Sequence, residues 1–152
     1  MKSIVALTGG LAGALAVTAL HQLIKNTDPK DAPRMDLLGI ETLSKIASQV
    51  GLGAKFQKNA YPITLAGDII GNTIYYSAVG MGNKSTWLKG SIMGLAAGVG
   101  AVYLPKPMGL NPRHSNRTQK TKALSVLYYL TGGLVAAGVV RLRGCRSCAT
   151  TQ

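Results

Sequence analysis

Apolar residues gather into four stretches along the chain, and polar, mostly basic connections separate them. The stretches run from about Ser3 to Ile24, Ala60 to Met81, Trp87 to Leu104 and Ala123 to Val140. A helix needs about 20 predominantly apolar residues to cross a bilayer core. All four stretches lie near that length, the third and fourth at its short end. The pattern predicts an all-α integral membrane bundle of four transmembrane helices, a single domain over residues 1–152 with a C-terminal tail over 141–152. Trp87 and Tyr103 bracket the third stretch, where interfacial aromatics belong. Pro105 and Pro107 end it, because a proline inside a helix forfeits a backbone hydrogen bond. The first stretch, with Lys2 before it and Val17, Thr18 and Ala19 near its end, also has the form of a cleavable signal peptide. His21, Gln22 and Lys25 instead make a natural polar end to a helix, which favours a retained span.

The connection between the first two stretches opens with a turn-rich segment from Asn26 to Arg34 that holds Pro29 and Pro33. Beyond it, Leu37, Ile40, Leu43, Ile46, Ala47 and Val50 recur at steps of three and four, which marks one helical face. These residues predict a short amphipathic helix over about 36–50, with Asp36 as its cap. Glu41 and Lys45 stand as an i,i+4 pair on the opposite side. Too short and polar to span, this helix belongs in the membrane interface.

Composition supports the membrane reading. Charged residues make up 14% of the chain, against about a quarter in ordinary soluble domains. Glycine is abundant at 19 residues, whereas Phe and Trp occur once each. The net charge of +12 raises the question of nucleic acid. However, the bases sit in the gaps between apolar runs, the usual mark of membrane topology, and no nucleic-acid partner is expected. The connection from Lys106 to Thr121 and on to Lys122 contains no acid. Its Arg113, Arg117, Lys120 and Lys122 suit anionic lipid headgroups or an acidic partner. Eleven Lys and Arg lie in the first and third connections, against six on the opposite side. The positive-inside rule then puts both termini outside.

No enzyme signature is present: no P-loop, no nucleophile elbow and no zinc-protease motif. No cofactor or metal is expected. Cys145 and Cys148 form a lone C-x-x-C, half of what a structural zinc site needs; they read as incidental thiols in a tail, with a disulfide or a metal shared between molecules as the alternative.

Three spans carry small residues at helical spacing: Gly9 and Gly13, Gly67 and Gly71, then Gly90, Gly94 and Gly98. A face without side chains lets another backbone approach closely, within the chain or in another copy. The second span also holds Asp68, the one acid in any apolar stretch. A charge at bilayer depth costs at least about 2.5 kcal/mol on insertion scales, so Asp68 should face protein or water. Thr64, Asp68 and Asn72 share one side of the helix. Thr18 and His21 lie at matching depth at the end of the first span, and an Asp68 clasp to one of them is expected. Together these five residues form a candidate intramembrane polar site.

Several segments resemble the YagU-like family of predicted bacterial inner-membrane proteins. They are the eight residues from Gly9 to Ala16 with Thr18 to Leu20, Tyr103 to Pro105 with Gly109 to Pro112, and Tyr128 to Val135. The chain is short for that group. The resemblance implies a helical, multi-pass protein of the bacterial inner membrane without a defined activity.

The expected function is that of a non-enzymatic structural or accessory subunit, packing through glycine-rich helices as a homo-oligomer or within a larger membrane complex. The alternative is a small proton- or ion-handling transporter or channel that uses the buried polar site.

Overall fold

The structure, a computed structural model, describes residues 2–52, 58–82 and 85–149, with side chains for 3–144 within those ranges. Lys55, Lys84, the thiols of Cys145 and Cys148 and the end of the tail lie outside the described residues. The described residues are all-helical. α1 spans Lys2–Thr27, α2 Met35–Gln49, α3 Ala60–Ser77, α4 Thr86–Tyr103, the short α5 Arg113–Asn116, and α6 Gln119–Ala149. Two helical segments, Ser3–Thr27 and Gln119–Gly144, are long and apolar enough to cross a membrane.

Three boundaries differ from the sequence expectation for local reasons. α1 runs to Thr27 and stops as the chain approaches Pro29, which disfavours helix in the residue before it. The second apolar stretch does not remain α-helical to Met81; it tightens into a 3₁₀ turn at Ala78–Gly80. α6 continues to Ala149 through the stretch expected as tail. No proline interrupts it there, and Arg and Leu are good helix formers.

Glycine sets the packing. α6 is the central helix, with α4 on one flank and α1 on the other, and α3 packs on the far side of α1. The four long helices therefore contact one another in a row, α3–α1–α6–α4, which closes on itself where Tyr75 of α3 reaches α4. Adjacent glycines of α6 serve its two neighbours. A Cβ on Gly132 would strike Val17 of α1, and one on Gly133 would strike the Gly90 carbonyl of α4. Along the α4 seam, a Cβ on Gly94 would lie 2.7 Å from Leu130 Cα, and one on Gly98 2.6 Å from Val126 Cα. Gly9 and Gly13 similarly face Ala136 and Gly132 of α6. Five of the seven glycines singled out in the sequence thus meet α6. Gly67 and Gly71 face no other helix of this row: a Cβ on Gly67 would lie 3.7 Å from Leu43 of α2, and one on Gly71 would meet nothing within 4 Å. Two tyrosines tie the row crosswise. Tyr76, fully buried, donates to the Tyr129 carbonyl at 2.7 Å, and Tyr75 donates to the Met93 carbonyl at 2.9 Å.

One end of the row carries a polar cap built from α2, the 28–34 turn and the 105–118 segment. Lys120 bridges Asp28 and Asp31, the latter at 3.4 Å. The Arg34 amide donates to the His114 carbonyl, and Thr121 donates to the Asp31 carbonyl at 3.0 Å. The expected Glu41–Lys45 pair does not form. Glu41 accepts from the Asn111 amide through both oxygens and lies 3.5 Å from His114. Lys45 donates to the Met108 and Gly109 carbonyls. The turn, which needs the left-handed backbone of Gly109 (φ 68°), presents unpaired amide and carbonyl groups to both side chains. Fixed backbone partners outcompete an exposed helical ion pair worth only about 0.3–0.5 kcal/mol.

Candidate functional site

Three helices converge on a half-enclosed cleft of about 110 Å³. α1 contributes Thr18, His21 and Gln22 from its last turns. α2 contributes Met35, Asp36, Gly39 and Leu43, and α3 contributes Tyr61, Thr64, Leu65 and Asp68. Within each helix these residues stand three or four apart, or adjacent, so each presents one face to the cleft. α2 lies close because Gly39 has no side chain: a Cβ there would come within 2.5 Å of the Thr64 methyl. A glycine inside a helix costs about 1 kcal/mol relative to alanine; here it admits the neighbouring helix.

The polar groups of the cleft fall into two sets. The first is satisfied. Asp36 accepts from Lys25 at 2.7 Å and from Arg34 at 3.2 Å, with its side chain 8% exposed. Burial acts to raise its carboxyl, but the hydrogen bonds from Lys25 and Arg34 outweigh burial and hold the pKa down at about 2. Gln22 donates to the Tyr61 hydroxyl at 2.8 Å. The second set is buried and lacks partners among the described residues: Thr18 Oγ1, His21 Nε2 and Thr64 Oγ1.

All five residues of the expected polar site lie in this region, but the expected clasp does not form. His21 approaches Asp36, at 3.9 Å, rather than Asp68. Asp68 accepts from Asn72, one turn on, at 3.0 Å. The cause is α2, whose first turn places the Asp36 carboxylate beside His21. Asp36 is not a helix cap, since the N-cap position belongs to Arg34 and no side-chain cap bond forms. Asp36 and Gly39 are the site residues that sequence reasoning missed. Asp36 follows a turn of uncertain direction, and no periodicity links it to α1. Gly39, an isolated glycine in a strong helical pattern, was the available signal of close approach.

The expected basic cluster is divided. Arg113 and Arg117 are exposed, and together with Lys122 they form no ion pair among the described residues. Lys120 is occupied by Asp28 and Asp31, because the 28–34 turn folds against the start of α6. Among the described residues no group of three His, Cys, Asp or Glu side chains could hold a metal.

Compared with protein-family models, curated proteins and solved structures, the chain matches none. Fold and site geometry therefore carry the functional reading.

Proposed function

We propose that the chain is a four-span membrane protein that acts as a non-enzymatic accessory subunit, self-associating or joining a larger complex through the outer face of α3. The supporting observation is the depth at which α3 and α4 lie. A Cβ on Gly10 of α1 would strike Thr73 and Ser77 of α3, so α3 runs beside α1. The Gly90, Gly94 and Gly98 seam runs beside α6 in the same way. If α1 and α6 cross a bilayer, α3 and α4 lie at the same depth and cross with them. Their 18 residues each extend about 27 Å, close to the roughly 30 Å of hydrocarbon.

The surface agrees with this placement. Large apolar side chains are exposed at helical spacing: Ile4, Leu7, Leu11 and Leu15 on α1, and Leu88, Ile92, Leu95 and Val99 on α4. In water such stripes would form an apolar patch of the kind soluble monomers avoid, whereas in lipid they are the ordinary exterior. On α3, Gly71 faces outward beside Ile63, Ile70 and Ile74, all three of them exposed. Close approach of a second backbone there gains dispersion contact, the main attraction between helices in lipid. Arg113 and Arg117 at the capped end suit anionic headgroups.

The test is the size of the purified protein in mild detergent, read by light scattering. Wild type is expected as a defined oligomer or complex, and Gly71→Leu as a monomer that keeps its helical content by circular dichroism. A Gly71→Leu variant that keeps the wild-type mass would overturn the assignment of α3 as the contact face.

A further inference from the structure

The cleft between α1, α2 and α3 holds an acid that no cation pairs: Lys25 and Arg34 compensate Asp36, whereas Asp68 forms no ion pair among the described residues. The chain carries 17 Lys and Arg against five acids. Yet Asp36 and Asp68 line the cleft, and no Lys or Arg does. Lys25 and Arg34 reach Asp36 but form no part of the lining.

The groups without partners share a second property. His21, 7% exposed, has an Nε2 without a hydrogen-bond partner, and Thr64, 5% exposed, has an unbonded hydroxyl. Thr18 adds another hydroxyl. Asp68 receives one hydrogen bond, from Asn72, on Oδ1, while an ionised carboxylate can accept about four. A buried polar group left unpaired costs about 1–3 kcal/mol. Several such groups converging on one space call for an occupant that donates hydrogen bonds and carries positive charge. The remaining walls, Met35, Leu43 and Leu65, are apolar. They suit a short alkyl stem, and the cleft has room for only a handful of heavy atoms.

The geometry points to a binding site for a small primary ammonium compound. Its charged nitrogen sits between Asp68, Thr64 and His21, and its alkyl stem lies against Leu43 and Leu65. An anion would meet the Asp68 carboxylate and find no base in the lining, since Lys25 and Arg34 are held by Asp36. A quaternary ammonium would bring the charge without the N–H donors that the threonine hydroxyls and Asp68 can accept. This site lies apart from the outer face of α3 and does not depend on self-association.

The experiment is calorimetric titration of the full chain in mild detergent at constant ionic strength, with n-propylammonium chloride as probe. Tetramethylammonium chloride, sodium propionate and sodium chloride are titrated in parallel. Saturable binding of propylammonium alone is expected. Asp68→Asn and Thr64→Val should each weaken it roughly tenfold, the effect of one hydrogen bond to a charged group. Thr64→Val retains the methyl that packs on Gly39, and circular dichroism verifies the fold of both variants. Three results would overturn the proposal: no saturable binding by wild type, equal binding of tetramethylammonium, propionate or sodium, or unchanged affinity in a folded Thr64→Val chain.

Discussion

Asp36 shows how one side chain joins local chemistry to the tertiary structure. Its carboxylate is buried at the mouth of the cleft and held by two cations from different segments, Lys25 at the end of α1 and Arg34 at the start of α2. Its pKa in the folded chain, about 2, lies below the unfolded value near 3.9. The contribution to stability is therefore complete above about pH 4 and disappears as pH falls through about 2. A displacement of that size is worth on the order of 2 kcal/mol. Asp36→Asn is expected to lower stability near neutral pH by that order. It should also flatten the decline of the melting temperature between about pH 4 and pH 2. A variant that melts like wild type across this range would show that Lys25 and Arg34 do not hold the carboxylate. Parts of this region were legible in the sequence. The depth of Thr18, His21 and Asp68 from their shared connection brings all three to one cleft. The pairing was not legible, because it depends on where α2 lands, and the 28–34 turn that directs it has no periodicity to read.

Among elements, glycine positions divide by what faces them, and the sequence pattern cannot distinguish the two kinds. Gly94 faces the Leu130 and Tyr129 backbone at under 3 Å from an added Cβ, and Gly71 faces open space. Alanine at Gly71 is expected to stabilise by up to about 1 kcal/mol through helix propensity. Alanine at Gly94 should destabilise, since overpacking against backbone costs about 1–3 kcal/mol. Opposite changes in melting temperature are the expected result, and equal changes would remove the α4–α6 seam from the account. The helices themselves were readable, since apolar runs bounded by Pro29, Pro105 and Pro107 leave little freedom in their placement. Contacts across the polar cap were not. Glu41 and Lys45 look like a helical pair until the 105–112 turn supplies fixed amide and carbonyl partners. Glu41→Ala should accordingly speed hydrogen exchange at the Asn111 amide and leave the α4 interior unchanged. Unchanged exchange at Asn111 would show that this bond does not form in solution.

At the scale of the whole molecule, the row α3–α1–α6–α4 fixes which parts share an end. Gly80, in the turn between α3 and α4, packs against Ala6 near the start of α1, and Gly9 packs against Val140 in the last part of the central seam. The Ala78–Gly80 turn, the start of α1 and the far end of α6 therefore occupy one end. α2 and the 105–118 segment cap the other. This arrangement separates a four-span from a two-span topology. If α3 and α4 cross the membrane with α1 and α6, Ser85 and Arg113 lie on opposite sides. If only α1 and α6 cross, everything between them lies on one side. The decisive measurement uses single cysteines at Ser85 or Arg113, with Cys145 and Cys148 replaced by serine, labelled in sealed vesicles by a membrane-impermeant thiol reagent. Labelling of the two positions from opposite faces is the predicted result, and labelling of both from the same face would contradict the four-span fold.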